Sequence, residues 1–364
     1  MPFHPKFLAT AIGSMPHTDV ERALDVVLAS LPHAPIWPQF PRISLSEQME
    51  PQFCEGMPRA VIDRERQRLY FDTTGDPSED LAAFYEVYLA AMDPDEGTGD
   101  CSALAIGPEH ARGFYGFLSR LEARVADGEP PLPWVKVQVT GPVSFALTSV
   151  DQDKRAIYYN EEFRDMVVKA LAMKCRWQLQ RFKPFAHGQI CFIDEPILSA
   201  FGSSTYVSVT REDVVALVNE LVEAIHAEGA LAGIHCCGNT EWSICVDAGV
   251  DIVNFDAFGY GETIAMYPEA VNELFARDGA LAWGLVPSSP KVRDASVQDL
   301  TALFGRLVDT LAARGVDRSR ILEQAMVTSS CGTGSMAVAD AELVFTRIGE
   351  LAQLLAKQYG FEPA

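Results

Sequence analysis

Eight short apolar runs, most followed by hydrophobic residues at helical spacing, set the tightest bound on what this chain can become. They fall at 8–14, 36–45, 134–139, 189–193, 231–236, 251–255, 280–286 and 326–329. A continuous apolar run of this length reads as a strand buried on both faces, as in a parallel sheet. Helical patterns at 18–30, 161–181, 211–228, 267–277, 297–314 and 339–358 separate most of them. Eight such runs separated mostly by helical patterns predict an α/β protein with a (β/α)8 (TIM) barrel, in preference to an open doubly wound sheet. The second run is broken by prolines. The stretch 57–133 departs from the rhythm, with a hairpin expected at 60–63 and 68–71 and helices at 81–92 and 110–125. It reads as an insertion between strands 2 and 3 of one catalytic domain spanning 1–364.

A chain of 364 residues, 48% of them hydrophobic, has enough apolar surface for such a core. Its formal net charge of −21 argues against a phosphate-backbone binder, since nucleic-acid recognition rests on clustered Lys and Arg. No apolar stretch reaches the roughly 18 residues of a membrane span, and Met1-Pro2-Phe3-His4-Pro5-Lys6 lacks the apolar core of a secretion signal. The expected location is the cytoplasm, with no nucleic-acid or membrane partner. Eight cysteines then read mainly as small buried hydrophobes and not as a disulfide framework.

Two of those cysteines stand apart. In Gly233-Ile234-His235-Cys236-Cys237-Gly238-Asn239 a buried strand ends in potential soft-metal ligands, and residues two apart share a face of a strand. His235 and Cys237 therefore point the same way and can chelate. Imidazole and thiolate suit zinc, which usually takes four ligands, so other strand ends must contribute. Cys331, in Val327-Thr328-Ser329-Ser330-Cys331-Gly332, is the best placed; Cys236 and Cys245 rank lower. In a barrel, catalytic groups come from the C-terminal ends of several strands. Ser14, Thr140, Asp194, Glu195, Asp256 and Cys331 all follow their strands. The plainer readings are a helix cap for Ser14, a turn for Thr140-Gly141-Pro142, a loop-ordering carboxylate for Asp256 and a surface position for His17.

Assembled in order, these segments resemble the catalytic C-terminal half of cobalamin-independent methionine synthase, within the superfamily that includes uroporphyrinogen decarboxylase and the corrinoid-dependent methyltransferases. The matching stretches are Ala11-Ile12-Gly13-Ser14-Met15-Pro16-His17-Thr18, Val139-Thr140-Gly141-Pro142-Val143-Ser144, Ile193-Asp194-Glu195-Pro196, His235-x-Cys237 and Ser330-Cys331-Gly332. The resemblance implies a Zn2+ site of His235, Cys237 and Cys331 with Asp256 or water as the fourth ligand. It further implies that Ser14, with the Ile12 and Gly13 backbone, receives a substrate carboxylate beside Thr140, and that Asp194 receives its ammonium, with Glu195 as the second catalytic carboxylate. The chain departs from the family in two places. The glutamate expected for the amino group has no clear match, although Glu47 and Glu50 are close, and Gly284-Leu285-Val286-Pro287-Ser288 carries no histidine after the seventh strand.

The activity implied is methyl transfer from a methyl-folate or a methyl-corrinoid protein to a small thiol, homocysteine first. A free thiol, with a pKa near ~8.5, is a weak nucleophile at neutral pH, and a bound zinc ion deprotonates it. The alternatives are a decarboxylase of the uroporphyrinogen type, which needs several arginines to grip a polyacid, and a methyltransferase acting on another thiol. The first loop carries no arginine between Ile12 and Glu21.

Overall fold

The computed structural model describes residues 3–92, 99–206 and 208–362. Met1 and Pro2 of the N-terminal segment and residues 93–98 of the expected insertion lie outside the described residues. The strands are β1 (Leu8–Ala9), β2 (Ala60–Asp63), β3 (Arg68–Phe71), β4 (Leu132–Thr140), β5 (Val150–Asp151), β6 (Ala186–Asp194), β7 (Leu231–Cys236), β8 (Ile252–Phe255), β9 (Ala280–Val286) and β10 (Ala325–Ser329). The α-helices are α1 (Val20–Ser30), α2 (Met49–Phe53), α3 (Ser78–Met92), α4 (Arg112–Ala126), α5 (Pro142–Thr148), α6 (Glu161–Phe182) and α7 (Arg211–Ala227). They continue with α8 (Trp242–Asp247), α9 (Ala257–Tyr260), α10 (Pro268–Ala276), α11 (Val297–Ala312), α12 (Arg318–Glu323) and α13 (Val338–Tyr359).

Seven strands form one curled sheet in the order β1, β10, β9, β8, β7, β6, β4, and every neighbouring pair is parallel. Burial on both faces explains their composition: every residue of β9 and β10 is buried. One face meets an interior cluster of Leu8, Ile12, Ile190, Phe192, Ile252 and Met326, whereas the other packs on the helices through a much larger cluster. The helices bury narrow stripes, Ala23, Leu24 and Val27 on α1 for example, and their ends carry ordinary stop and start signals. Ser296 and Asp299 form a capping box on α11, and Gly360 closes α13 at φ +78°.

The second apolar run is not a continuous strand. Pro32, Pro35, Pro38 and Pro41 remove donors a ladder would need. What remains are single parallel bridges, Ile36 to Lys136 on β4 and Gln39 to Ser14 beyond β1. Residues 33–39 nevertheless run between the two edges of the sheet, with Trp134 and Lys136 donating backbone N–H bonds to His33 and Pro35. The hairpin falls where the pattern puts it, and its second strand adds β5 in parallel to make a separate three-stranded sheet.

Candidate functional site

The C-terminal ends of the strands open on a cleft of about 320 Å3. Seven of the residues singled out from the sequence line it: Ile12, Ser14, Thr140, Asp194, His235, Cys237 and Cys331. The metal-ligating atoms of His235, Cys237 and Cys331 all lie within 4.8 Å of one another. Two strands carry them there, β7 with its inward-facing alternation and the turn that follows β10.

The histidine is held in one tautomer. Asn254 on β8 donates through Nδ2 to the Ala282 carbonyl (2.8 Å) and to Thr328 Oγ1 (2.7 Å), so its Oδ1 faces His235 Nδ1 at 2.5 Å and must accept. The Nδ1–H is thereby spoken for, which leaves the buried Nε2 as the ring's remaining ligand atom, and against its burial Cys237 and Asp194 draw the imidazole up. Cys331 is fixed through its backbone: its N–H donates to Ser288 Oγ (3.0 Å), whose hydroxyl donates back to the Cys331 carbonyl (2.5 Å). Gly332 is required beside it, because a Cβ there would stand 2.0 Å from Ser14 Oγ. Contact with the Cys331 thiol and then with His235 holds Cys237 well below the usual thiol range, while Cys237 and burial push Cys331 up. An imidazole nitrogen beside two thiols, all within 4.8 Å of one another, is a donor set that fits zinc.

Asp194 stands at the end of β6, its Oδ1 buried without a partner. Burial pushes its carboxyl up, against the pull of His235 and of Lys136, a wholly buried lysine on β4. Lys136 lies over the Phe192 ring at 4.5 Å and is itself lowered to about 8 by burial. Glu47 also lines the cleft; Arg112 Nη1 occupies its Oε1 at 2.6 Å and its Oε2 is a further buried oxygen without a partner. Burial raises the Glu47 carboxyl, and Arg112 with the nearby amides of Arg112 and Phe40 draws it back down.

Three expected site residues sit differently. Glu195 is fully buried outside the cleft lining, with both oxygens taken by the amides of Val143 (2.8 Å) and Ser144 (2.8 Å) and by Ser144 Oγ (2.6 Å). Burial raises it to about 7. A carboxylate so occupied caps α5 and does not face a substrate, which corrects the catalytic role expected for it. Asp256 is the N-cap of α9, accepting from the Gly259 amide at 2.7 Å, and is not one of the three mutually close metal-ligating residues. Gly13 lies behind the lining, its carbonyl accepting from the Gln39 amide at 2.9 Å. His17, expected at the surface, is buried against Glu342 at 3.1 Å. Asn254, Ser288, Lys136 and Arg112 were not singled out from the sequence.

No family model matches the sequence, and no curated protein matches it. Among solved structures the chain is similar to a B12-independent methionine synthase from Shewanella sp. W3-18-1, in complex with selenomethionine, at 12% identity over 67% of each chain with a TM-score of 0.44. It is similar to a Xaa-Pro dipeptidase with methionine in its active site, at 14% identity over 66% of this chain and 61% of that one, with a TM-score of 0.32. A prolidase complexed with N-methylphosphonate-L-proline follows at 10% identity over 76% and 72%, with a TM-score of 0.27.

Proposed function

We propose that this chain is a zinc-dependent methyltransferase that moves a methyl group from a methyl-folate or methyl-corrinoid donor to a small amino thiol, homocysteine first among them. The observation that carries the reading is the cleft's set of unanswered acceptors. Asp194 Oδ1 and Glu47 Oε2 are buried and unpartnered in the same cleft as His235 Nε2 and the two thiols close to it. Buried acceptors without donors are costly, so such a cleft is built for cations, here a metal ion and an ammonium group. His235, Cys237 and Cys331 would hold zinc, with Asp256 or water completing the set. Zinc bound there supplies the Lewis acidity that turns an incoming thiol into a thiolate at neutral pH.

The rest is done by the chain. Asn254 keeps His235 in the metal-binding tautomer, and Ser288 holds the Cys331 turn. Asp194 and Glu47 accept the substrate ammonium, and Ser14 with the Ile12–Gly13 backbone receives its carboxylate. That leaves the sulfur as the free end, able to form its bond to the methyl carbon as the donor–methyl bond breaks. We read the sheet as a closed (β/α)8 barrel with residues 33–39 in the place of its second strand, one domain with 57–133 inserted. We place the protein in the cytoplasm. Among the described residues no helix is long and apolar enough to cross a membrane.

The decarboxylase alternative needs cationic side chains for a polyacid. Among the described residues that line the cleft none is Lys or Arg. The deciding assay supplies zinc-loaded protein with homocysteine and either methyl-folate or methylcobalamin, and follows methionine. Methionine should form with at least one donor and fail to form with Cys331→Ser; no product from either donor with fully metallated wild type would reject the reading.

A further inference from the structure

Glu47 reaches the cleft on a short helical turn, residues 45–47, whose position is dictated from outside the sheet. Its side chain is 0% exposed, yet its only hydrogen bond partner among the described side chains is Arg112, the first residue of α4, which is 39% exposed. The neighbouring segment is tied to the same part of the insertion. Gln52 donates to the His110 carbonyl (2.7 Å), and His110 Nδ1 meets the Pro51 carbonyl (2.9 Å). On the other side, Thr140 donates to the Met49 carbonyl (2.8 Å) and Gln39 to Gln52 Oε1 (2.6 Å). Glu47 is thus a carboxylate pushed into the cleft by one body and anchored by another.

We propose that Arg112 is a positioning residue for substrate choice: by gripping Oε1 it fixes Glu47 as an ionised carboxylate with Oε2 turned to the cleft, so that the insertion selects thiols bearing an amino group. The inference rests on the reading of the cleft as an amino-thiol site. A buried carboxylate with no cation beside it protonates or swings away, and either change removes the charge that meets an ammonium. Arg112 touches no substrate. Its Nη1, held at the helix start, sets the position of the group that does.

The test is calorimetric binding of homocysteine and of 4-mercaptobutanoate, the same thiol without its amine, to zinc-loaded protein. Wild type should prefer homocysteine by about tenfold or more, the scale of one hydrogen bond between charged groups. Arg112→Met should lose most of that preference by weakening homocysteine alone, with 4-mercaptobutanoate affinity and zinc content unchanged. Arg112→Lys should restore part of it, and Glu47→Gln should reproduce the Met variant. A preference that survives in Arg112→Met, or an equal loss for both thiols, overturns the proposal. Equal binding of the two thiols by wild type overturns it while leaving a thiol site standing, and binding of neither overturns the amino-thiol reading as well.

Discussion

Asn254 shows how much of a candidate metal site lies one residue behind the side chains that form it. It faces the interior of the sheet, and three hydrogen bonds leave it no freedom to turn its amide round. Asn254→Ala should keep the fold and lower zinc affinity about 10- to 100-fold, the usual cost of removing a partner that orients a ligating histidine. Competition with a chromophoric chelator measures this directly, and unchanged affinity would show that the imidazole needs no such hold. That His235, Cys237 and Cys331 come together was legible in the sequence because the signal is local: alternate residues of a strand share a face, and a glycine follows each cysteine turn. Asn254 was not, since an asparagine inside an apolar run carries no sign of which side chain it will meet. Glu195 was misread for the complementary reason. A carboxylate after a strand and before proline serves equally well to cap a helix in space, and only the fold shows that Val143 and Ser144 lie within its reach. His17 was placed at the surface because its partner, Glu342, comes from the far end of the chain.

At the level of elements, α5 depends on a cap from another strand. Gly141 admits the Glu195 carboxylate to its N-terminus, where a Cβ would come within 2.2 Å of it. Glu195→Gln removes the charge and turns one acceptor into a donor facing amides that need an acceptor. It should destabilise the protein by about 1–3 kcal/mol while leaving the zinc content unchanged. Denaturant unfolding beside metal analysis separates the two effects; loss of metal at full stability would return Glu195 to the site. The long helices other than α3, and β7, β8, β9 and β10, lie within a residue or two of the sequence expectation, because burial on one stripe or on both faces writes itself into periodicity. Short elements do not: α5, α8 and α12 span too few residues to show a period. The second strand failed where the prolines predict, in the missing donors of residues 32–41.

Across the whole molecule, strands distant in sequence bring a histidine and two cysteines to one end of the sheet, and an insertion brings a buried glutamate to meet them. Neither meeting is visible in any single segment; the first was inferred from the strand ends, and for the second the sequence offered Glu47 only as a residue close to the expected glutamate, with no sign of Arg112. The acidic surface, net −21, leaves the cleft's function to its own few groups. The central claim is that His235, Cys237 and Cys331 hold one zinc ion between them. X-ray absorption at the zinc edge tests it most directly, on wild type and on Cys331→Ser loaded with zinc in parallel. The wild-type shell should contain two sulfurs and an imidazole nitrogen, and the variant should retain a single sulfur or bind no zinc. A shell of oxygen and nitrogen alone, or an unchanged pair of sulfurs in Cys331→Ser, would contradict the account.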